Sequence, residues 1–219
     1  MSKQHLPTKI LIVDDHPLVR EGLAMRISLH SDLKVCGEAE SEDQAIELVK
    51  ETDPDLVLID ISLKSGHGLD LIKRIRALKP AVKMLAISGF QESLYAERAC
   101  RAGAMGYLNK QESNEKMMEA IRTVLSGKRF LSREMNRRLV EHALQASDAT
   151  RTPIEQLTDR ELEIFRMIGE GIKTSEIATR LFLSTHTIDT HRENIKRKLN
   201  VSTAAELSRA AVQWVLENG

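Results

Sequence analysis

Five short apolar runs punctuate the first half of the chain: Ile10-Leu11-Ile12-Val13, Leu33-Lys34-Val35-Cys36, Leu56-Val57-Leu58-Ile59, Met84-Leu85-Ala86-Ile87 and Gly106-Tyr107-Leu108. Runs of this length, continuous and rich in branched residues, suit strands buried on both faces, as in a parallel sheet. Between them, apolar residues recur at helical spacing: Leu18, Leu23 and Met25 to Ile27; Ala45, Ile46 and Val49; Leu69, Ile72, Ile75 and Leu78; Leu94, Ala96 and Ala99; Met117, Ala120, Ile121, Val124 and Leu125. Ser41 is placed to cap the second of these helices, Pro80 stops the third and Gly127 ends the fifth. Five strand–helix units in alternation predict an α/β unit over residues 1–127, an open parallel sheet with helices on both faces.

The texture then changes. Residues 128–153 carry only one helical pattern, Arg133 to Leu144, followed by the small, polar, proline-ended stretch Gln145 to Pro153, which has the composition of a linker. Residues 154–219 show no strand signal. Their spacing predicts four helices, about Asp159–Gly169, Thr174–Leu181, Thr185–Leu199 and Thr203–Glu217. Thr158 with Glu161 has the form of a capping box, and Ser184 and Ser202 stand at N-cap positions for the last two helices. Short helices joined by three- or four-residue turns predict an all-α helix-turn-helix unit.

Composition adds limits. Aromatic residues are only 3% of the 219 residues, so the cores must be built from Leu, Ile, Val, Ala and Met. No apolar run approaches the roughly 20 residues that span a bilayer, and Met1 to Pro7 is polar, unlike a signal peptide; a cytoplasmic protein without a membrane partner is expected. Cys36 and Cys100 make no disulfide framework and are expected to be reduced core thiols. The formal net charge is zero, so any nucleic-acid binding must rest on a local basic surface.

The candidate chemistry lies at the carboxyl ends of the predicted strands, where doubly wound sheets bind ligands. Strand 1 runs into Asp14-Asp15, strand 3 into Asp60, strand 4 into Ser88 and strand 5 into Asn109-Lys110. Three carboxylates converging on one rim do not all stay ionised without a cation. An oxygen-rich site with a few carboxylates suits Mg²⁺. A central aspartate beside such a cation and a lysine is a nucleophile suited to phosphorus, with metal and ammonium balancing charge on the phosphoryl oxygens. His16, next to the acidic pair, is expected to face solvent near the pocket.

These residues carry a resemblance. Residues 9–126 resemble a response-regulator receiver domain through Ile-Leu-Ile-Val-Asp14-Asp15-His-Pro, Asp-Leu-Val-Leu-Ile-Asp60, Ser88 and Gly-Ala-Met-Gly-Tyr107-Leu-Asn-Lys110. The resemblance implies that Asp60 takes a phosphoryl group from a sensor histidine kinase or a phosphotransfer protein. Asp14, Asp15, Asp60 and the backbone carbonyl of Ser62 would hold Mg²⁺. Lys110 would pair with the phosphoryl group, Ser88 would donate to it, and Tyr107 would move inward as Ser88 shifts. The loop Ile61 to Gly68 departs from the family in lacking its frequent proline, and Lys64, Gly89 and Phe90 border the pocket.

The second half, from Leu157-Thr-Asp-Arg-Glu-Leu through Lys173-Thr-Ser-Glu-Ile177-Ala178 and Thr187-Ile-Asp-Thr-His-Arg192 to Ile195-Lys-Arg-Lys-Leu199-Asn-Val201, resembles the LuxR-type DNA-binding domain. The whole chain then resembles the NarL/FixJ family of two-component transcriptional regulators. That implies a flavodoxin-like, doubly wound five-stranded parallel sheet followed by a four-helix LuxR-type helix-turn-helix. Ile188, Ile195 and Leu199 form one face of the third C-terminal helix. Its other face, with Asp189, Thr190, Arg192, Glu193, Lys196 and Arg197, suits a DNA groove: Arg192, Lys196, Arg197 and Lys198, with the Thr185 and Thr187 hydroxyls, suit phosphates, and Asp189 and Glu193 suit base edges or are merely tolerated. Asp189 stands where many relatives carry Lys. Two acids on that helix leave a modest positive balance, which predicts weak binding by a monomer and homodimers on promoter DNA or on phosphorylation. Leu207, Ala211 and Leu216 on the last helix suit either core or a dimer contact. The expected protein is not an enzyme beyond its own phosphoryl transfer and dephosphorylation. Two other classes stay open: an aspartyl-phosphate phosphatase, disfavoured because Ser62 occupies the place of the needed second acid, and an interaction module that is never phosphorylated, disfavoured by the intact acidic set.

Overall fold

The computed structural model describes residues 6–63, 67–144 and 152–218. The chain divides into two compact units, Met1–Arg138 and Leu139–Gly219.

In the first unit, strands β1 (Thr8–Val13), β2 (Leu33–Ala39), β3 (Leu56–Asp60), β4 (Lys83–Ser88) and β5 (Gly106–Asn109) form one sheet of order β2-β1-β3-β4-β5. Every neighbouring pair is parallel. Helices α1 (Pro17–Ser28), α2 (Glu42–Thr52), α3 (Gly68–Leu78), α4 (Glu92–Ala102) and α5 (Asn114–Leu125) make the crossovers. The predicted alternation is therefore realised, with β2 at the edge.

The pleat explains the continuous apolar runs. Ile10, Ile12, Leu56, Leu58, Leu85 and Ile87 share a core cluster with Leu23 and Ile27 of α1 and with Met117, Ala120, Ile121 and Val124 of α5. Residues of the other parity, Leu11, Val13, Val57 and Ile59, are equally buried and face the opposite layer. Each such side chain contributes roughly 1.5–3 kcal/mol on burial, and β3, buried at all five positions, is the centre of the unit.

Ser41 caps α2 by accepting from the Gln44 N–H at 3.4 Å, and Gly127, at φ +84°, follows α5. Helix α1 departs from expectation. Leu23 and Ile27 are buried, but Leu18 and Met25 are 81% and 72% exposed, because the helix lays only one narrow stripe on the sheet. Cys36 and Cys100 are free and only partly buried. Burial pushes the Cys100 thiol up to about 11, which keeps it protonated at neutral pH.

After α5 the chain returns to the sheet. Phe130 bridges Gly106 in parallel sense, accepting from the Tyr107 N–H at 3.0 Å and donating to the Met105 carbonyl at 3.0 Å. The Ser132 N–H then donates to Glu92 Oε1 at 2.8 Å. Helix α6 (Arg133–Leu144) follows, with Met135 buried. Residues 145–151 of the expected linker lie outside the described residues.

The second unit is helical: α7 (Asp159–Gly169), α8 (Thr174–Arg180), α9 (Thr185–Leu199) and α10 (Ala204–Asn218). Thr158 and Glu161 close the capping box on α7, and Ser184 caps α9 by accepting from the Thr187 N–H at 3.0 Å. The cap of α10 is Thr203 rather than Ser202. Thr203 Oγ1 accepts from the Glu206 N–H at 3.1 Å, and the Glu206 carboxylate accepts from the backbone of both Ser202 and Thr203. The reason is Glu206, which stands three residues after Thr203, the spacing a capping box requires.

Ile177, Ile188 and Ile195 are fully buried with Leu162 and Phe165. Helices α7 and α10 pack closely at Gly169, where a Cβ would lie 2.3 Å from the Ala211 carbonyl oxygen. Leu207, Ala211 and Trp214 of α10 are buried, and Trp214 stands 5.7 Å from the Phe165 ring. Leu216, expected on the same stripe, is 80% exposed.

Candidate functional site

The strand ends bring the expected residues together. Asp14 and Asp15 leave β1, Asp60 closes β3, and Ser88 closes β4; all four are buried. Lys110 follows β5, and its N–H donates to the Ser88 carbonyl at 2.8 Å. Its Nζ lies 2.6 Å from Asp14 Oδ2 and 2.9 Å from Asp60 Oδ2. Parallel strands staggered to this register place their carboxyl ends on one rim, so residues separated by dozens of positions meet there.

Backbone geometry fixes Asp60 further. Its Oδ1 accepts from the Ser62 N–H at 3.1 Å. Gly68 opens α3 against the end of β3, where a Cβ would stand 2.2 Å from the Asp60 carbonyl oxygen. Only a glycine permits that approach. Lys64 of the intervening loop lies outside the described residues.

Electrostatics follow from burial. Desolvation, the largest influence, raises the Asp60 carboxyl above its ordinary range; Lys110 opposes this and Asp14 adds to it. Burial lowers the Lys110 ammonium, but the attraction and hydrogen bonds of Asp60 and Asp14 outweigh it and hold the ammonium above its usual value. One ammonium thus pairs with two of the three buried carboxylates, and the oxygen set fits a hard divalent cation. Asp14, Asp15, Asp60 and His16 each offer one ligand atom, all within 4.8 Å of one another. His16, half exposed as expected, nevertheless sets its Nδ1 2.9 Å from Asp15 Oδ1 and 3.3 Å from Asp14 Oδ1.

Ser88 Oγ accepts from the Phe90 N–H at 3.2 Å. Tyr107 is buried, with its hydroxyl donating to the Phe90 carbonyl at 2.7 Å. Burial foremost raises its phenol well above the ordinary value. Two further residues belong to this neighbourhood, one read in the sequence only as the end of strand 5 and the other not read at all. Asn109 Nδ2 donates to the same Phe90 carbonyl at 3.0 Å, and Arg20 Nη1 donates to the Asp14 carbonyl at 2.6 Å. Asn109 was visible as a strand-end residue; Arg20 carries no local signal.

On α9, Thr185, Asp189, Thr190, Glu193 and Arg197 are exposed. They share their side of the helix with exposed His186, which helical spacing alone could have added. Thr187 is engaged with the Ser184 cap at 2.8 Å. Arg192 Nη1 donates to Thr174 Oγ1 at 3.3 Å, and Lys196 pairs with Glu193 at 2.8 Å. Lys198, grouped in the sequence with the phosphate-binding residues, donates to the buried Glu161 carboxylate at 2.6 Å. It ties α9 to the capping box of α7.

Comparison with known proteins agrees with both units. Residues 10–122 match the response regulator receiver domain, and residues 155–211 match the luxR family of bacterial regulatory proteins. The response regulator GacA of Pseudomonas aeruginosa is 32% identical over 205 residues, covering 94% of this chain and 95% of that protein. The nitrate/nitrite response regulator NarL of Escherichia coli is 31% identical over 217 residues, covering 98% and 97%. Among solved structures, the RcsB response regulator of Salmonella typhimurium superposes with a TM-score of 0.71 at 24% identity, over 94% of this chain and 98% of that one, and so shares the fold. A receiver sheet with its acidic rim, followed by a LuxR-type helical domain, makes this chain a member of the NarL/FixJ family of two-component response regulators.

Proposed function

We propose that Asp60 is the phosphoacceptor and that its phosphorylation governs DNA binding by α9. The observation that carries this is the Lys110 ammonium bridging Asp14 and Asp60 on a buried rim. An Asp60 carboxylate oxygen attacks the phosphorus of a phosphohistidine or a small acyl phosphate; the bond from phosphorus to the donor breaks, and an aspartyl phosphate results. Water attack later returns inorganic phosphate and the free carboxylate.

Asp14, Asp15, Asp60 and the Ser62 carbonyl would hold Mg²⁺, which supplies charge neutralisation at the phosphoryl oxygens. Lys110 pairs with those oxygens once it leaves the carboxylate, and the Ser88 hydroxyl donates to them. Tyr107 follows Ser88 through the shared Phe90 backbone, the two-state element such a switch needs. The physiological donor is a sensor kinase or phosphotransfer protein, and the setting is the cytoplasm. Among the described residues no helix is long and apolar enough to cross a membrane.

The DNA-facing set is Thr185, Thr187, Asp189, Thr190, Arg192, Glu193, Lys196 and Arg197, with Lys198 reassigned to holding α9 against Glu161. Homodimers double this modest surface and read paired half-sites. Residues 1–127 and 154–219 serve as sensing and DNA-binding regions, joined by 128–153.

Intact mass with Mg²⁺ and acetyl phosphate tests the chemistry. A gain of one phosphoryl group that requires both Mg²⁺ and Asp60 supports it; a gain retained in Asp60→Ala overturns it. DNA binding that is the same before and after phosphorylation overturns the control step.

A further inference from the structure

Among the described residues that offer a ligand atom to the acidic pocket, His16 alone has no task in the receiver chemistry. It sits at the N-cap position of α1 with an extended backbone, followed by Pro17 at the first helical position, and its side chain makes no cap hydrogen bond. Instead its N–H donates to Asp14 Oδ1 at 2.9 Å, while the imidazole Nδ1 stands 2.9 Å from Asp15 Oδ1 and 3.3 Å from Asp14 Oδ1. The ring is about half exposed, at the mouth of a pocket whose carboxylates are buried.

The separations have a chemical meaning. Donors around one small divalent cation lie at most about 4.2 Å apart, twice a bond of roughly 2.1 Å, and neighbouring donors lie about 3 Å apart. The ligand atoms of Asp14, Asp15, Asp60 and His16 span at most 4.8 Å, so a contraction of up to roughly 0.6 Å, with the imidazole exchanging its contact to the carboxylates for the cation, brings its nitrogen into the same coordination sphere. Nothing competes for that nitrogen as a helix cap, and the fixed φ of Pro17 limits where the preceding residue travels.

We propose that His16 is a fourth protein donor of this pocket, and that its nitrogen makes the pocket favour a first-row transition dication of the cobalt or nickel type over Mg²⁺ by more than an all-oxygen site would. Imidazole suits those ions and offers little to Mg²⁺, which prefers oxygen and retains its waters. The inference rests on the reading of the pocket as a divalent-cation site.

The test is calorimetric titration of the full chain with MgCl₂ and with CoCl₂, for the wild type, His16→Ala and Asp15→Asn, together with the visible absorption of the Co²⁺ complex. His16→Ala sacrifices no cap bond, so the unit should fold. The expected result is that His16→Ala weakens Co²⁺ at least about tenfold and Mg²⁺ by less than about twofold, with the Co²⁺ bands altered. A rise of both affinities together would show that His16 only plugs the pocket, and unchanged affinities and bands would show a bystander; either result overturns the proposal and leaves the cation site standing. Titrations of the wild type indistinguishable from those of Asp15→Asn overturn the cation site itself, and the proposal with it.

Discussion

The Lys110 ammonium stands 2.9 Å from Oδ2 of Asp60 while both lie at the end of a sheet that buries Asp60 almost completely. The pairing does not offset the cost of placing that carboxylate out of water, and Asp14 nearby adds like-charge repulsion.

A stability effect follows. Because the folded chain holds the Asp60 proton to a higher pH than the unfolded chain, whose value is near the ordinary 3.8, ionised Asp60 lowers stability. The penalty is absent below that ordinary value and grows as pH rises through the folded value. Asp60→Asn is therefore expected to raise the melting temperature of the first unit at pH 7, by roughly 4 °C for each kcal/mol gained. The gain should shrink toward zero near pH 3.5. Thermal denaturation of both proteins across pH 3.5–8 in the absence of divalent cations measures it, and a gain that grows on acidification would contradict it.

Tyr107 and Asn109 converge on one acceptor, the Phe90 carbonyl. Either donor alone still satisfies it. Tyr107→Phe and Asn109→Ala should each cost less than about 1 kcal/mol, while the double variant should cost more than the sum, since it removes both side-chain donors from one part-buried carbonyl. Urea unfolding of the four proteins closes the cycle, and simple additivity would show that the two bonds are independent.

In the second unit, burial alone would push the Glu161 carboxyl up, but the Lys198 bond and the Thr158 N–H together bring it below its ordinary 4.5. Its contribution is present above that value and is lost as pH falls through the lower folded value. Glu161→Gln should cost about 1–2 kcal/mol at pH 7 and flatten the loss of stability below pH 4.5. The single tryptophan, Trp214, lies in this unit's core, so its fluorescence reports the transition selectively.

The exposed side of α9 mixes signs. Arg197→Ala is expected to weaken DNA binding across sequences and lower the salt slope by about one ion. Asp189→Ala and Glu193→Ala should leave the slope nearly unchanged, raise affinity for unrelated DNA and narrow discrimination between sites. Fluorescence anisotropy over a salt series, on specific and scrambled duplexes, separates the two classes.

Much of this was legible in the sequence because it depends on local texture. Parallel strands buried on both faces must be continuously apolar, and the rim residues are whatever follows them; hence Asp14, Asp60, Ser88 and Lys110 could be placed before any coordinate. Part of what escaped depends on contacts between distant segments. The α1 stripe is not such a case: Val19, Leu23 and Ile27 recur every four positions and meet the core, while Leu18, five positions before Leu23, falls off that face. Lys198 looks like its basic neighbours until Glu161, 37 positions away, is known to lie beneath it. The reading of Ser202 passed over a local signal: Glu206 stands three residues after Thr203, the spacing of a capping box. His16 was read as a solvent-facing neighbour of the pocket because its exposure and its distance from two carboxylates are independent properties.

The return of Phe130 to Gly106 bears on solubility. A four-residue β5 at the border of an open sheet presents unpaired backbone donors and acceptors to any other extended chain. One of these groups, the Tyr107 N–H, and the Met105 carbonyl just before the strand are occupied by Phe130 from the same molecule. The stretch just past α5 therefore guards this border against strand addition by another copy, and a fragment ending at Gly127 would lose that guard while one ending at Arg138 would keep it.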